Sequence, residues 1–259
     1  MSTFLFDKII FGPVFSRRLG ASLGINLLPN NSKLCNFNCI YCECGWTPGE
    51  GELEKKMHSR KSVQESLAEK LSDMKNSYEG LDVITFAGNG EPTLHPDFAE
   101  IIDDTIVLRN KYFPEAGIAV LSNATMLHNA NIVEALKKVD QNILKLDSSN
   151  LETVNLINQP RIKFNINTLV KQLQQFEKNL IIQTLFCKGE RNAKKFDNGS
   201  EAEVDAWLEL IKEIKPKEVM IYTFARSAPK QNLEKIKPER LFEIGEKVES
   251  LGIPVRISE

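Results

Sequence analysis

The sequence predicts an α/β protein built from repeated strand–loop–helix units. Short apolar runs rich in β-branched residues recur along the chain with little alternation, which is typical of parallel strands covered on both faces. Apolar stripes at helical spacing lie between these runs. Consecutive βα units form either an open doubly wound sheet or a barrel, and six units are fewer than the eight of a closed barrel.

The elements follow one another in a regular order. The predicted strands cover 24–29, 81–88, 117–123, 141–147, 179–186 and 218–224, with 253–258 as a candidate seventh. A capping box of Ser62 and Glu65 predicts the start of the first helix, and Pro96 fits the first turn of the second. Further helical stripes cover 167–176, 204–214 and 241–251, and Gly252 is the predicted C-cap of the last. No G-x-G-x-x-G follows the first strand, so a dinucleotide fold is unsupported.

The composition is that of an ordinary folded chain. The 259 residues are 42% hydrophobic and 26% charged, which excludes collagen-like and disordered classes. The formal charge of -2 gives no strong bulk attraction for nucleic acid or anionic lipid. No apolar run is long enough to span a membrane. The N-terminus carries Asp7 and lacks a basic lead and a cleavage site, so we predict no signal peptide and a cytoplasmic location.

The cysteines are the most informative residues. Cys35, Cys39, Cys42 and Cys44 lie within ten residues, and Cys187 stands alone. Cysteines this crowded cannot all form disulfides without strain, so a reducing compartment and metal binding are favoured. The first three have the spacing C-x3-C-x2-C and can bind three irons of a four-iron cluster, which leaves one iron open. The alternative is a zinc site that also uses Cys44, although zinc sites usually combine two separated pairs.

The C-x3-C-x2-C spacing, with Tyr41 before the third cysteine, resembles the signature of radical S-adenosylmethionine (radical SAM) enzymes. The segments FGPV-x-SRRLG-x-SLGI, CNF-x-CIYC, TF-x-GNGEPTLHP and IYTFAR together resemble one subgroup. It contains uncharacterised iron–sulfur oxidoreductases related to wybutosine-type tRNA synthases (4-demethylwyosine synthase). The resemblance covers nearly the whole chain. Unlike the tRNA enzymes, this chain is shorter, mildly acidic and without the upstream cysteines of a second cluster.

The resemblance implies a partial TIM barrel of about six βα units in a single domain, 1–259. This domain has an N-terminal extension (1–23), a βα core (24–224) and a C-terminal helix and strand (225–259). The resemblance also implies one [4Fe-4S] cluster on Cys35, Cys39 and Cys42, with S-adenosylmethionine (SAM) as the second cofactor.

The resemblance further implies a reaction. An external reductant of flavodoxin or ferredoxin type supplies the electron that cleaves SAM to methionine and a 5′-deoxyadenosyl radical. This radical then abstracts hydrogen from an unidentified substrate. Two alternatives are a tRNA substrate and a non-catalytic iron–sulfur electron carrier with Cys44 as fourth ligand.

A glycine turn follows the second predicted strand. Gly88, Asn89, Gly90, Glu91 and Pro92 resemble the Gly-Gly-Glu-like motif of the family. The resemblance implies that backbone carbonyls and the acid bind the methionyl amino group of SAM. Glycine also allows unusual dihedrals, so the alternative is a turn that only closes a loop.

Polar residues also end the next three strands. Ser122 and Asn123 can hydrogen-bond ribose hydroxyls or the methionyl carboxylate. Lys145 and Asp147 share one strand face, where the lysine can meet a carboxylate and the aspartate can accept from ribose hydroxyls. Gln183 can reach adenine or substrate. The alternatives are a capped turn, an ion pair and a buried core amide.

Four residues are candidates for the substrate end: Arg17, Arg18, Tyr222 and Arg226. Arg17 and Arg18 can hold an anionic group bidentately, or they can be solvated charges. With an RNA substrate, a basic stripe of these arginines and Lys33 would face the ligand.

The remaining residues of interest have structural expectations. We expect Cys44 to be a free thiol beside the cluster and Cys187 to be a small core residue. Trp46 is expected to shield the cluster. None of the three histidines has a partner in the sequence pattern, so all are predicted to be surface or turn residues: His58, His95 and His128.

Overall fold

The computed structural model describes residues 4–16, 19–49, 56–224 and 233–258. Its strands are β1 (Ile10–Ser16), β2 (Gly20–Ile25), β3 (Val83–Phe86), β4 (Gly117–Ser122), β5 (Gln141–Lys145), β6 (Ile181–Leu185), β7 (Cys187–Arg191), β8 (Lys194–Asp197), β9 (Glu218–Tyr222), β10 (Leu233–Lys235) and β11 (Val255–Ser258). Its α-helices are α1 (Arg60–Asn76), α2 (Phe98–Tyr112), α3 (Ala130–Lys137), α4 (Leu151–Ile157), α5 (Ile166–Leu173), α6 (Glu201–Ile214) and α7 (Pro238–Glu249).

The main sheet has the strand order β1-β2-β3-β4-β5-β6-β9-β11. All neighbours from β2 to β11 pair in parallel, and β1 alone runs antiparallel, against β2. Over the described ranges, six parallel strands are each followed by at least one helix before β11 ends the series. The predicted α/β class, the six units and the seventh strand are therefore confirmed.

The sheet curls around an apolar interior. One residue from each of five neighbouring strands packs into a single buried cluster: Val83, Ala119, Ile143, Ile181 and Met220. These side chains are at most 3% exposed, although they belong to a cluster separate from the core packed by the helices, so the sheet itself curls over this face and makes it the concave side of a partial barrel. The helices cover the outer face through a separate, larger core that includes Trp207 and Phe98.

The strand register determines which residues stand above that interior. Side chains two residues further along a strand point to the same face. The next inward positions, towards the carboxyl ends of the strands, are Thr85, Leu121, Lys145, Gln183 and Tyr222. An apolar floor thus lies beneath a layer with several polar groups, as the rule for ligand sites in α/β proteins predicts.

A second sheet, in the order β10-β7-β8, was not predicted. It follows β6 after a single residue, so it lies at the carboxyl end of the main sheet. Asn192 and Ala193 join β7 to β8 with positive φ angles of 52° and 60°, the conformation of a type I′ hairpin turn. The β7–β8 hairpin was not predicted because an Asn-Ala pair in a highly charged segment indicates a hairpin less strongly than Asn-Gly does.

Several predicted boundaries were wrong by a few residues. The first parallel strand begins at Gly20 rather than 24 and ends at Ile25, because the Asn26 side chain accepts from the Leu28 amide at 3.1 Å and turns the chain. The N-cap of α1 is Ser59, whose hydroxyl accepts from the amide of Ser62 at 3.2 Å.

Two other predicted helix ends differ from the observed ends by one turn or less. Pro96 precedes the N-cap Asp97 of α2 instead of lying inside the helix. The C-cap of α7 is Ser250, and Gly252 takes its positive φ of 76° two residues later.

Candidate cofactor site

The cysteine loop, residues 33–45, is held by backbone hydrogen bonds on two sides. Leu34 pairs with Gly90 of the turn that follows β3, and Phe37 pairs with Pro160 beyond α4. The amide of Ile40 also donates to the last residue of α4, Ile157, at 2.9 Å. The loop therefore spans from the second βα unit to the fourth, across the carboxyl edge of the sheet.

One cavity at this edge gathers most of the predicted site residues. Those that line it are Cys35, Cys39, Tyr41, Cys42, Gly88, Gly90, Glu91, Ser122, Asn123, Lys145 and Gln183. Lys33 and Cys44 line it as well. The remaining predicted cofactor residues, Asn89, Pro92 and Asp147, lie behind this lining. The cavity thus combines four thiols of one loop with polar groups from four strand ends.

The donor set fits an iron–sulfur cluster. Soft thiolate ligands select zinc or iron–sulfur clusters, and zinc requires its donors around a single point. The thiols of Cys35, Cys39 and Cys42 surround a shared cavity, and in a four-iron cluster each thiolate binds a different iron.

The charge balance of the cysteine loop depends on a buried lysine, Lys33, which belongs to none of the cofactor motifs in the sequence. Lys33 is 3% exposed and donates from Nζ to the Gly45 carbonyl at 2.9 Å. Burial opposes its charge, yet the neighbouring cysteines, Cys42 foremost, raise the pKa of Lys33 above its usual value. A buried ammonium cannot belong to an exposed basic stripe, so the prediction that Lys33 would contact RNA was wrong.

The cysteines differ in acidity because their neighbours differ. A hydrogen bond from Cys44, together with the Lys33 charge, lowers the pKa of Cys42 to about 5 despite burial. The same bond, followed by burial, raises the pKa of Cys44. Burial raises the pKa of Cys35 to about 12 and also raises that of Cys39. Metal binding needs thiolates, so loading this site is expected to release protons.

The glycine turn, residues 88–91, requires glycine at position 90. Gly90 has a φ of +138°, and a Cβ there would lie 1.8 Å from the Leu34 carbonyl oxygen. The Asn89 side chain points away from the cavity and binds the backbone amide and carbonyl of Phe6 at 2.9 and 2.8 Å. Asn89 also donates to the carbonyl of Pro29 at 2.8 Å. The turn therefore connects the N-terminal segment to the cysteine loop.

Glu91 joins the ends of β3 and β4. Its Oε1 accepts from the hydroxyls of Thr93 and Ser122 at 2.6 and 2.8 Å, and its Oε2 accepts from the amide of Asn123 at 2.6 Å. Burial raises the pKa of Glu91, and these hydrogen bonds oppose that rise. An ionised carboxylate has about four acceptor positions, so Oε2 keeps capacity for a ligand amine.

A buried polar network lies beneath the cysteine loop. Tyr41 donates its hydroxyl to Asp147, and Lys145 donates to the Tyr41 oxygen at 2.8 Å. Lys145 and Asp147 form an ion pair at 3.4 Å, the alternative that the sequence left open. Burial opposes the charge of Lys145, but Asp147 raises its pKa. Asn158 completes the network with a 2.6 Å hydrogen bond to Asp147. Sequence patterns gave no signal for Asn158, because the helix that carries it was not predicted.

A family model of the radical SAM superfamily matches residues 32–168. This range is more than half of the chain and contains the cysteine loop, the glycine turn and Lys145. The chain belongs to the radical SAM superfamily. The resemblance predicted from the C-x3-C-x2-C spacing is therefore confirmed.

Two curated relatives are similar to this radical SAM chain. A protein named GTPase Obg from Brachyspira hyodysenteriae is 31% identical over 238 residues, which cover 90% of this chain and 32% of that protein. A UPF0026 protein from Helicobacter pylori is 31% identical over 185 residues, which cover 70% of this chain and 57% of that protein. The chain thus spans about a third of the first relative and a little over half of the second.

Solved structures share the fold at low sequence identity. A radical SAM methyltransferase from Sphaerobacter thermophilus has a TM-score of 0.67 and 13% identity, with 92% of this chain and 66% of that chain covered. A structure of TYW1 with a bound lysine–pyruvate adduct has a TM-score of 0.60 and 15% identity, with 88% and 73% covered. These matches agree with the partial barrel.

Gln183 is the polar lining residue of this radical SAM site whose own hydrogen-bonding capacity is unused. Its side chain is 7% exposed and lines the cavity. No residue within the described ranges hydrogen-bonds the side-chain amide of Gln183. The amide borders the cavity, where its donor and its acceptor can pair with a ligand.

The substrate-end predictions are tested only in part. Tyr222 packs beside the apolar cluster that contains Cys39 and Tyr41. Arg17, Arg18 and Arg226 lie outside the described residues.

The other expectations had mixed outcomes. Cys187 is fully buried in the core, as expected. Trp46 is 44% exposed and does not line the radical SAM cavity, so the prediction that it shields the cluster was wrong. His95 is buried, and its Nδ1 accepts from the Asp97 amide, which leaves Nε2 to donate to the His58 carbonyl at 2.7 Å. His95 ends the 3-10 turn of residues 92–94, so the turn position predicted for it is confirmed.

None of the helices within the described part of the chain has both the length and the apolar character needed to cross a bilayer.

Proposed function

We propose that this chain binds one [4Fe-4S] cluster through Cys35, Cys39 and Cys42 and cleaves SAM reductively. When bound, such a cluster supplies one electron to the sulfonium, which yields methionine and a 5′-deoxyadenosyl radical that abstracts hydrogen from a substrate still to be identified. The observation that carries the proposal is the shared cavity, which these three thiols line together with polar groups from four strand ends.

The polar groups of the cavity match the parts of SAM. Glu91 is an acceptor for the methionyl ammonium, beside the backbone of Gly88 and Gly90. Lys145 lines the cavity and can meet the methionyl carboxylate. The Ser122 hydroxyl already donates to Glu91, so we assign it to the support of that carboxylate. The side-chain amide of Gln183 has no hydrogen-bond partner among the described residues, and its donor and acceptor together suit the edge of adenine.

The apolar floor of the barrel protects the reaction. The buried cluster of Val83, Ala119, Ile143, Ile181 and Met220 lies directly below the polar layer. These side chains offer no hydrogen bond to water, and a dry cavity prevents side reactions of a reactive intermediate. The substrate would therefore meet the radical above this floor, near Tyr222.

The source of the electron is proposed to be another protein or domain. After the three cluster ligands, the 259-residue chain has two cysteines left, Cys44 and Cys187, too few for a second four-iron cluster with three cysteine ligands. We propose an external reductant of flavodoxin or ferredoxin type. We also propose that residues 1–259 act as one domain, because the N-terminal segment contacts the glycine turn through Asn89.

The test is anaerobic reconstitution with iron and sulfide, reduction with dithionite, addition of SAM and chromatographic detection of 5′-deoxyadenosine. We expect product from the wild type and none from Cys39→Ala, which removes a ligand and abolishes the assembled cluster. Cys44→Ala is the matched control, because it removes a cavity thiol from the same loop that is not a proposed ligand. It is expected to retain the cluster.

Two results would contradict the proposal. Equal loss of iron in Cys39→Ala and Cys44→Ala would show that the ligand set is wrong. A cluster whose spectrum ignores SAM, without 5′-deoxyadenosine, would favour a non-catalytic electron carrier.

A further inference from the structure

The C-terminal end of α4 carries a buried side chain that faces the cysteine loop. Asn158 is 2% exposed and is the C-cap of that helix. Its backbone carbonyl accepts from the amide of Asn38 at 2.9 Å, and the adjacent carbonyl of Ile157 accepts from Ile40 at the same distance. The helix end is thus fixed against the loop, and the Asn158 side chain is held in register with Cys39.

The Asn158 amide has a defined orientation. Its Nδ2 lies 2.6 Å from an Asp147 carboxylate oxygen, which as an ionised group can only accept. The nitrogen, and not the oxygen, must therefore point into the network. The same Nδ2 lies 3.4 Å from Cys39 Sγ and 3.1 Å from the Tyr41 hydroxyl. One N–H is directed to Asp147, and the second is left for the sulfur and the phenol.

A similar donor lies beside Cys35. Asn123 Nδ2 is 3.6 Å from Cys35 Sγ, and the backbone amide of Phe37 is 3.4 Å from the same sulfur. The Asn123 oxygen accepts from the amide and hydroxyl of Thr125, which fixes the orientation of this amide too. Two of the three proposed ligands therefore receive an asparagine N–H from outside the cysteine loop.

We propose that Asn158 is a positioning residue that raises the reduction potential of the cluster through an N–H···S hydrogen bond to Cys39. This inference rests on the part of the proposed function that places a [4Fe-4S] cluster on the loop. Added negative charge in the reduced cluster is shared by its thiolates, so a hydrogen bond to sulfur stabilises the reduced state more than the oxidised state. Groups beyond the direct ligands tune metal sites in this way.

The experiment is a mediated redox titration of the reconstituted protein without SAM, followed by visible absorption and electron paramagnetic resonance. Asn158→Leu keeps the approximate volume and removes the donor. We expect a tenfold lower equilibrium constant for reduction, which for one electron is a shift of about 59 mV to more negative potential. The matched control is Asn155→Leu, an exposed asparagine on the same helix, with no expected shift.

Two further variants separate the possible causes. If Asn158→Leu assembles too little cluster to titrate, Asn158→Ser replaces it. The serine side chain is too short to reach Cys39, so this variant is expected to shift the potential in the same direction. In the background Asp147→Asn, the substitution Asn158→Leu is expected to give the same shift as in the wild type, because that background removes the carboxylate charge. A shift that vanishes there would assign the effect to Asp147 and overturn the inference.

Other outcomes are equally decisive. An unchanged potential in Asn158→Leu at full cluster content would overturn the inference. A wild-type protein that assembles a cluster but leaves SAM intact would refute the proposed cleavage, while the titration would still test Asn158. A wild-type protein that assembles no cluster would overturn both.

Discussion

Substitution Gly90→Ala is expected to disrupt the contact between the glycine turn and the cysteine loop. The added Cβ would lie 1.8 Å from the Leu34 carbonyl oxygen, far inside van der Waals contact. That oxygen accepts from the Glu91 amide at 3.0 Å, and the Leu34 amide donates to the Asn89 carbonyl at 2.8 Å. Backbone atoms on both sides must therefore move, and no flexible side chain can absorb the clash.

The magnitude follows from two costs. A non-glycine residue in this region of positive φ costs about 1–3 kcal/mol. Displacing the Leu34 carbonyl breaks a backbone hydrogen bond worth about 1 kcal/mol and leaves buried groups unpaired at about 1–3 kcal/mol. We therefore expect a loss of about 3–7 kcal/mol in the free energy of unfolding. For a chain of this size each kcal/mol lowers Tm by about 2–4 °C, so a drop of about 6–28 °C is expected.

Thermal unfolding and urea titration of the cluster-free protein measure this loss. Gly80→Ala is the matched control, because a Cβ at Gly80 would meet no atom within 4 Å. We expect that control to unfold like the wild type. If Gly90→Ala matches Gly80→Ala in stability and also assembles a full cluster, then the close approach of the turn to the loop does not constrain residue 90, and our account of the turn is refuted.

Two further predictions concern binding and pH. Glu91→Gln removes a buried charge with little change in volume and is expected to weaken SAM binding about tenfold or more with the cluster retained, by equilibrium binding; an unchanged Kd would remove Glu91 from the site. Burial and then the neighbouring His95 lower the pKa of His58. At pH values just below the ordinary pKa of histidine, the unfolded chain therefore binds more protons than the folded chain. Stability is therefore expected to fall as the pH drops from about 7.5 to 5.5. As the pH drops, the urea midpoint should fall less in His58→Gln than in the wild type, and the exposed control His128→Gln should fall as the wild type does. Equal falls in both variants would contradict this assignment.

Local patterns predicted the βα series because strands and helices bury their side chains with different periods. The helix face of Val63, Leu67, Leu71 and Met74 is buried as expected. Helix boundaries were harder to predict. At the start of α1, Ser59 and Ser62 both fit the local pattern of an N-cap. Ser59 is the one that accepts the amide hydrogen bond.

Residues of the site were predictable where they follow strands or carry a motif. The cysteines, the glycine turn, Lys145 and Gln183 line one cavity as the strand-end rule implied. Asn158 was missed, and Lys33 was assigned to a basic stripe facing RNA, because the roles of both residues depend on burial and on contacts that local spacing does not show. Asn158 is separated by 119 residues from the cysteine whose sulfur it contacts, so no local spacing could indicate it.

The sequence by itself determined the α/β class, the membership in the radical SAM superfamily and the cysteine spacing, because each is encoded within short segments. Only the tertiary structure decided which polar groups serve the cavity and which serve one another. Asp147 is bound by Tyr41, Lys145 and Asn158, whereas the side-chain amide of Gln183 has no hydrogen-bond partner among the described residues. The reason is physical: a buried polar group must find a partner, and the curl of the sheet determines which partners lie within reach.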